Sequence, residues 1–180
     1  MVKKILALLL FGIVYPLSAA ANDTLVKFKG GIGVIPVSSG VAIAPTLGTA
    51  LTVESVNRNI VRGVQPPGQI WVIADLRADV KFDGQIKVRG KGLILGGGNN
   101  AGRATGQSVF ATLICEAAAP FTELNTNLTG VPLEANGDFR IDDFLSATPP
   151  ADCASPMLLI RNAAGLAWFA VGIPSFGNDD

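Results

Sequence analysis

Residues 69–95 read QIWVIADLRADVKFDGQIKVRGKGLIL, and their alternation decides the fold. Ile70, Val72, Ala74, Leu76, Ala78, Val80 and Phe82 share one parity, while Trp71, Ile73, Asp75, Arg77, Asp79 and Lys81 share the other. A period of two held this long is a β-strand with one face buried. Beyond Asp83-Gly84, Ile86, Val88 and Ile94 fall on one parity and Lys87, Arg89 and Lys91 on the other. A two-residue turn would pair Phe82 with Gln85 and set apolar residues against charged ones along the whole hairpin. A three-residue loop, Phe82-Asp83-Gly84, instead sets Val80 opposite Ile86 and Ala78 opposite Val88 on the buried face. On the wet face Asp79 then meets Lys87, and Asp75 meets Lys91. The same loop places Gly84 at the left-handed position of a type I turn with a G1 bulge. Burial fixes register, so the spacing predicts the three-residue loop. At the far end Trp71 and Ile73 lie across from Leu95 and Leu93, which predicts cover on both faces there.

The rest of the chain reads as strands and turns, because glycine and proline recur too often for long helices. Thr24 to Lys29 alternates, with Val26 and Phe28 on one face; Gly30-Gly31 breaks the pattern and Ile32 to Val37 resumes it. Ser38 to Thr49 is loop or weak edge strand, and Thr52 to Val64 is predicted to hold one or two strands, ended by Pro66-Pro67-Gly68. Residues 96–107 form a Gly/Asn-rich connecting loop; no Lys-Ser/Thr follows that would complete a phosphate cradle. Ser108 to Ala117 is apolar on both parities, as in a central strand. Two further hairpins follow, one turning at residues 134–137 and one at 163–165. Residues 174–180 read as a loose tail.

Residues 1–21 carry an address. Lys3 and Lys4 precede an apolar run from Ile5 to Val14, and Ser18-Ala19-Ala20-Ala21 offers small residues for cleavage. This is the pattern of a secretory signal peptide, and the run is about half the roughly 20 residues a membrane span needs. The reading predicts a secreted or periplasmic protein, not membrane-spanning, with residues 22–180 as one β-rich domain. Within it, residues 22–95 hold the N-terminal strands and long hairpin, and residues 108–173 the remaining strands. Removing Lys3 and Lys4 leaves 12 basic against 14 acidic residues, a balance that argues against a nucleic-acid partner.

Cys115 and Cys153 are the only cysteines. In an exported chain such a pair is most simply a disulfide; a metal or catalytic thiol would want His, Asp or further Cys close by. The absence of histidine removes triads, Cys-His pairs and histidine-ligated zinc. The short, regularly spaced strands and this cross-link predict an all-β, antiparallel β-sandwich with an additional long hairpin.

The runs Gly130-Val131-Pro132-Leu133, Asn136-Gly137-Asp138-Phe139-Arg140-Ile141 and Met157-Leu158-Leu159-Ile160 resemble the transthyretin-like sandwiches of carboxypeptidase regulatory domains. The resemblance covers about a third of the chain. It implies an Ig-like or transthyretin-like sandwich and a mostly non-catalytic role.

Few residues suggest chemistry. Glu134, Asn136 and Asp138 have the alternate spacing of a calcium loop, with Asp142 and Asp143 close behind. The plainer reading is a β-turn leading into a strand with solvated carboxylates. A carboxylate or calcium-dependent extracellular hydrolase around Asp138, Asp142 and Asp143 is the enzymatic alternative, but nothing selects two acids across a cleft. Charge is also uneven. Residues 58–103 hold eight basic and three acidic residues, whereas residues 104–180 hold two and nine. Opposite halves either pair within the molecule or join copies head-to-tail. The sequence therefore points to an exported structural or binding module without catalytic residues or a required cofactor. Its expected partner is a second copy or an extracellular protein or glycan. Trp71 and Trp168 would favour a glycan if exposed, but their strand positions predict core packing.

Overall fold

The structure, a computed structural model, describes residues 23–35 and 59–176. The signal-peptide reading of residues 1–21 and the readings placed between residues 36 and 58 lie outside the described residues. Among the described residues there are eleven strands and no helix. They are β1 (Thr24–Gly33), β2 (Trp71–Val72), β3 (Asp75–Lys81), β4 (Gln85–Lys91), β5 (Ile94–Leu95), β6 (Ser108–Ile114), β7 (Leu124–Asn125), β8 (Val131–Pro132), β9 (Phe139–Phe144), β10 (Met157–Asn162) and β11 (Trp168–Ser175). Nine form one sheet in the order β7-β6-β10-β11-β1-β3-β4-β9, with β8 also paired to β6, while β2 and β5 pair by themselves. All pairings are antiparallel. The all-β architecture, the long hairpin and the Cys115–Cys153 disulfide are as the sequence predicts. The layering is achieved differently from two stacked sheets: a single sheet curls into a half-barrel and packs on itself.

The central hairpin has the predicted register, with Val80 opposite Ile86, Asp79 opposite Lys87 and Asp75 opposite Lys91. Gly84 takes a φ of 90° and its amide closes the loop on the Lys81 carbonyl at 3.0 Å. Conformations of this sign cost glycine little. The hairpin is not continuous to its far end. Gly92 turns with φ 63°, and the chain there leaves its partner strand. The Gly92 amide donates to the Asp138 carboxylate and the Leu93 amide to the Gly137 carbonyl. This break inverts the parity. Trp71, rather than Ile70 and Val72, is buried, stacked on Phe169 with ring centroids 4.0 Å apart. A one-residue offset exchanges the two faces of a strand, so the expectation of one buried parity from Ile70 to Phe82 holds only from Leu76 to Val80.

Other boundaries shift as well. The Gly30-Gly31 pair does not end β1; it makes a bulge, where the register with β11 slips between Phe28 and Gly31. Residues 59–64 form no strand; a tight turn at Arg62-Gly63 joins a bridge between Val61 and Val64. Of the expected loose tail, Pro174 and Ser175 are not loose, for they pair with Phe28 and Lys27, while residues 177–180 lie outside the described residues.

The interior is filled by the concave face. Leu76, Phe28 and Leu158 converge on Gly172, where an added Cβ would lie 3.0–3.3 Å from their side chains. Across from Gly90 on β9, the Phe139 ring occupies the space a side chain at 90 would need. The two ends of the sheet differ in cover. On β3, β4 and β9 only alternate residues are buried, so the convex face is wet. Val109–Ile114 of β6 and Leu158–Asn162 of β10 are buried on both faces. Residues 59–65 cross the outer face of this second half. The Trp168 indole donates to the Asn59 carbonyl, and Arg62 donates to the Ile114 and Ser155 carbonyls. The outer edges of the sheet approach each other, the Ser146 amide reaching the Asn125 carbonyl at 2.7 Å.

Candidate functional site

The convex face of β1, β3, β4 and β9 carries the largest group of exposed charges, and strand register arranges them in rows. Lys27, Asp79, Lys87 and Asp142 occupy directly opposed positions, alternating in sign. Lys87 Nζ stands 3.6 Å from the Asp142 carboxylate, joining the basic and acidic halves of the sequence. The next row holds Lys29, Arg77, Arg89 and Arg140, four cations with no intervening acid. Beyond it Asp75 faces Lys91.

Opposed positions on neighbouring strands bring side chains within about 5 Å, where like charges are destabilising. Arg77 is partly compensated by Asp75, 3.3 Å away, yet its side chain remains 72% exposed. Arg89 and Arg140 are exposed and have no ion-pair or hydrogen-bond partner among the described residues. An open groove of about 220 Å³ lies over Lys27, Lys29, Arg77, Asp79, Lys87 and Arg89, floored by Phe28 and Ala78. The strands set these side chains on one rigid surface, because every second residue of each strand points into the core.

At the corner of the face Lys81 holds Asp23 at 2.6 Å. Their hydrogen bond keeps the Asp23 carboxyl below its usual range and the Lys81 ammonium above its own. Elsewhere, a hydrogen bond from Thr122 lowers the Glu116 carboxyl, and burial lowers the Arg62 guanidinium.

The five residues considered for calcium are spread along a turn and a strand. Asn136 accepts from the Asp138 amide, Asp138 from the Gly92 amide, and Asp143 from the amides of Asn127 and Phe144. Asp142 faces Lys87, and Glu134 is exposed on the turn. No group of three His, Cys, Asp or Glu placed to hold a metal occurs among the described residues. Asp142 and Asp143 line one wall of a cleft of about 290 Å³ between the sheet edges. The facing wall, from Val109, Thr126, Asn127, Gly130 and Val131, carries no second acid.

Both tryptophans are buried, as their strand positions predict. Cys115 and Cys153 are joined, with Cα atoms 4.6 Å apart, and no helix of the described residues is long and apolar enough to cross a membrane. Neither a family model, nor a curated protein, nor a solved structure matches this chain.

Proposed function

We propose that the chain is an exported, non-catalytic binding module that presents the convex face of β1, β3, β4 and β9 to an anionic partner. The observation that carries the proposal is the unbroken row of Arg77, Arg89 and Arg140 on three adjacent strands. A row of this kind works against folding, since each strand pairing forces two cations together. Features that break a local rule without internal compensation gather where a protein meets its partner. Arginine suits the role, because its planar guanidinium grips carboxylate, sulfate or phosphate oxygens in pairs. A hydrolytic role has less support, as the acids near the seam are occupied with backbone amides or share one wall.

The test is retention of the mature chain on an anionic resin at neutral pH, compared with Arg89→Thr/Arg140→Thr. Wild type should elute at clearly higher salt than the double variant, although the mature chain carries a net charge near −2. Equal elution would remove the row from any anion-binding role. Light scattering at low and high salt decides whether the anion is a second copy. Mass above the monomer that falls with salt would assign the acidic surfaces of this same chain as the partner.

A further inference from the structure

Building on the anionic-face reading, we infer that the row Lys29–Arg77–Arg89–Arg140 is a track for a linear acidic polysaccharide carrying one carboxylate per sugar. The polymer lies across the strands rather than along them. Neighbouring strands stand 4.7–4.9 Å apart, so four positions in register span about 14 Å, with a positive charge about every 5 Å. That spacing is close to the length of one sugar ring, so an extended polyuronate, with one carboxylate on every ring, can lie along the row with carboxylates turned toward it. Arginines at three of the four positions supply paired donors for each carboxylate.

The flanking rows limit the width of the occupant. Asp79 and Asp142 lie two residues to one side along their strands, and Asp75 two residues to the other, each about 7 Å from the track. A duplex nucleic acid or an anionic bilayer is broader than this gap and would set its phosphates over those aspartates as well as over Lys27, Lys87 and Lys91. A single glycan chain fits between them. The open groove here covers Lys29, Arg77 and Arg89 of the track together with Lys27, Asp79 and Lys87 of the next row, and Arg140 lies beyond it. The track itself includes no aromatic side chain on which unpaired bases would stack. Phe144, exposed on the same face, belongs to a row two steps away, opposite Gln85.

The experiment is calorimetric titration of the mature, oxidised chain with oligogalacturonates of two, four and eight sugars, a neutral glucan octasaccharide, a short DNA duplex and anionic phospholipid vesicles. Affinity should rise from the disaccharide to the tetrasaccharide and change little at the octasaccharide, because the track is about 14 Å long. Arg89→Thr and Arg140→Thr should each weaken tetrasaccharide binding about tenfold, the scale of one charge-assisted contact. Lys91→Thr, on β4 but one row away, should change it less than twofold. Equal losses from Arg89→Thr and Lys91→Thr would overturn the crosswise placement, as would affinity that keeps climbing to eight sugars. Tighter binding of duplex or vesicles, lost in the same arginine variants, would overturn the glycan assignment while leaving the anionic face intact. Binding of no anion at all would overturn both.

Discussion

Arg161 on β10 and Arg89 on β4 are both strand arginines of the same sheet, and they are treated in opposite ways. Arg161 is buried: it ion-pairs with Glu123 at 2.5 Å, donates to the Leu166 carbonyl at 2.9 Å and lies over the Phe110 ring. No side-chain polar atom buried among the described residues lacks a partner. Arg89 stands in solvent between Arg77 and Arg140 with no anion of its own. One half of the sheet is covered on both faces and its charge is resolved internally. The other half leaves one face wet and pairs some of its cations there, but not Arg89 or Arg140. Where a fold pairs Lys81 and Lys87 with acids and leaves Arg89 and Arg140 without one, those two arginines are the place to look for a partner.

The sharpest way to break this contrast is to remove the staple of the covered half. Cys115 follows β6 and Cys153 precedes β10, closing a loop with a sequence separation of 38. The chain-entropy estimate for such a loop is about 4 kcal/mol. Cys115→Ala/Cys153→Ala should lose about that much in urea denaturation. A loss under about 1 kcal/mol would mean that packing on both faces holds this half without the cross-link.

The next largest effect separates burial from charge. Glu123→Ala leaves the buried Arg161 guanidinium without its counter-ion and should cost about 3 kcal/mol. Arg161→Met should cost less, because the stranded Glu123 side chain is 39% exposed and water can reach it. If Glu123→Ala costs little while Arg161→Met costs more, the contribution of Arg161 is packing against Phe110 rather than neutralised charge.

The open half predicts the reverse sign. Arg89→Thr removes two like-charge oppositions and introduces a good strand former, so stability should rise by about 0.5 kcal/mol. The same substitution is expected to weaken anion binding. A fall in stability would show that the arginine stem covers apolar surface, and the row would then have a structural reason to exist.

Much of this was legible in the sequence, and the residues show why. The register of β3 with β4 follows from Val80, Ile86, Ala78 and Val88, and the pairing of Asp79 with Lys87 comes with it. That register also sets Arg77 opposite Arg89, the nucleus of the cation row. Its extension to Lys29 and Arg140 needs partners 48 and 51 residues distant from Arg77 and Arg89, and alternation within a hairpin carries no information about them. The kink at Gly92 was hidden for a related reason. Its cause is the turn at Gly137 and Asp138, a contact the local pattern does not encode. The curling of nine strands into one sheet was likewise beyond periodicity, which reports which face of a strand is buried but not what buries it. The covering of β6 and β10 could be read from their apolar runs, yet the role of residues 59–65 as part of that cover could not.

The smallest effect concerns the corner of the open face, where Lys81 holds Asp23 and the Phe82 amide bonds the Asp23 carbonyl at 3.1 Å. The Asp23 carboxyl is lowered from 3.8 by its hydrogen bond with Lys81, so its contribution is fully present above that value. It is lost as pH falls through the still lower folded value. Lys81 is raised from 10.5 by the same bond, so its contribution is present below 10.5 and is lost as pH rises through the higher folded value. Between these limits the pair is intact. Exchange protection of the Phe82 amide should therefore be flat across neutral pH and fall below about pH 4, before the global acid transition. Asp23→Asn should abolish that early step, and high salt should weaken it, because the pair is exposed and screened. At neutral pH the destabilisation caused by Asp23→Asn should shrink in high salt, whereas that caused by Glu123→Gln should change far less, since Arg161 is buried. Equal salt sensitivity at the two sites would erase the difference between the covered and the open halves of the sheet.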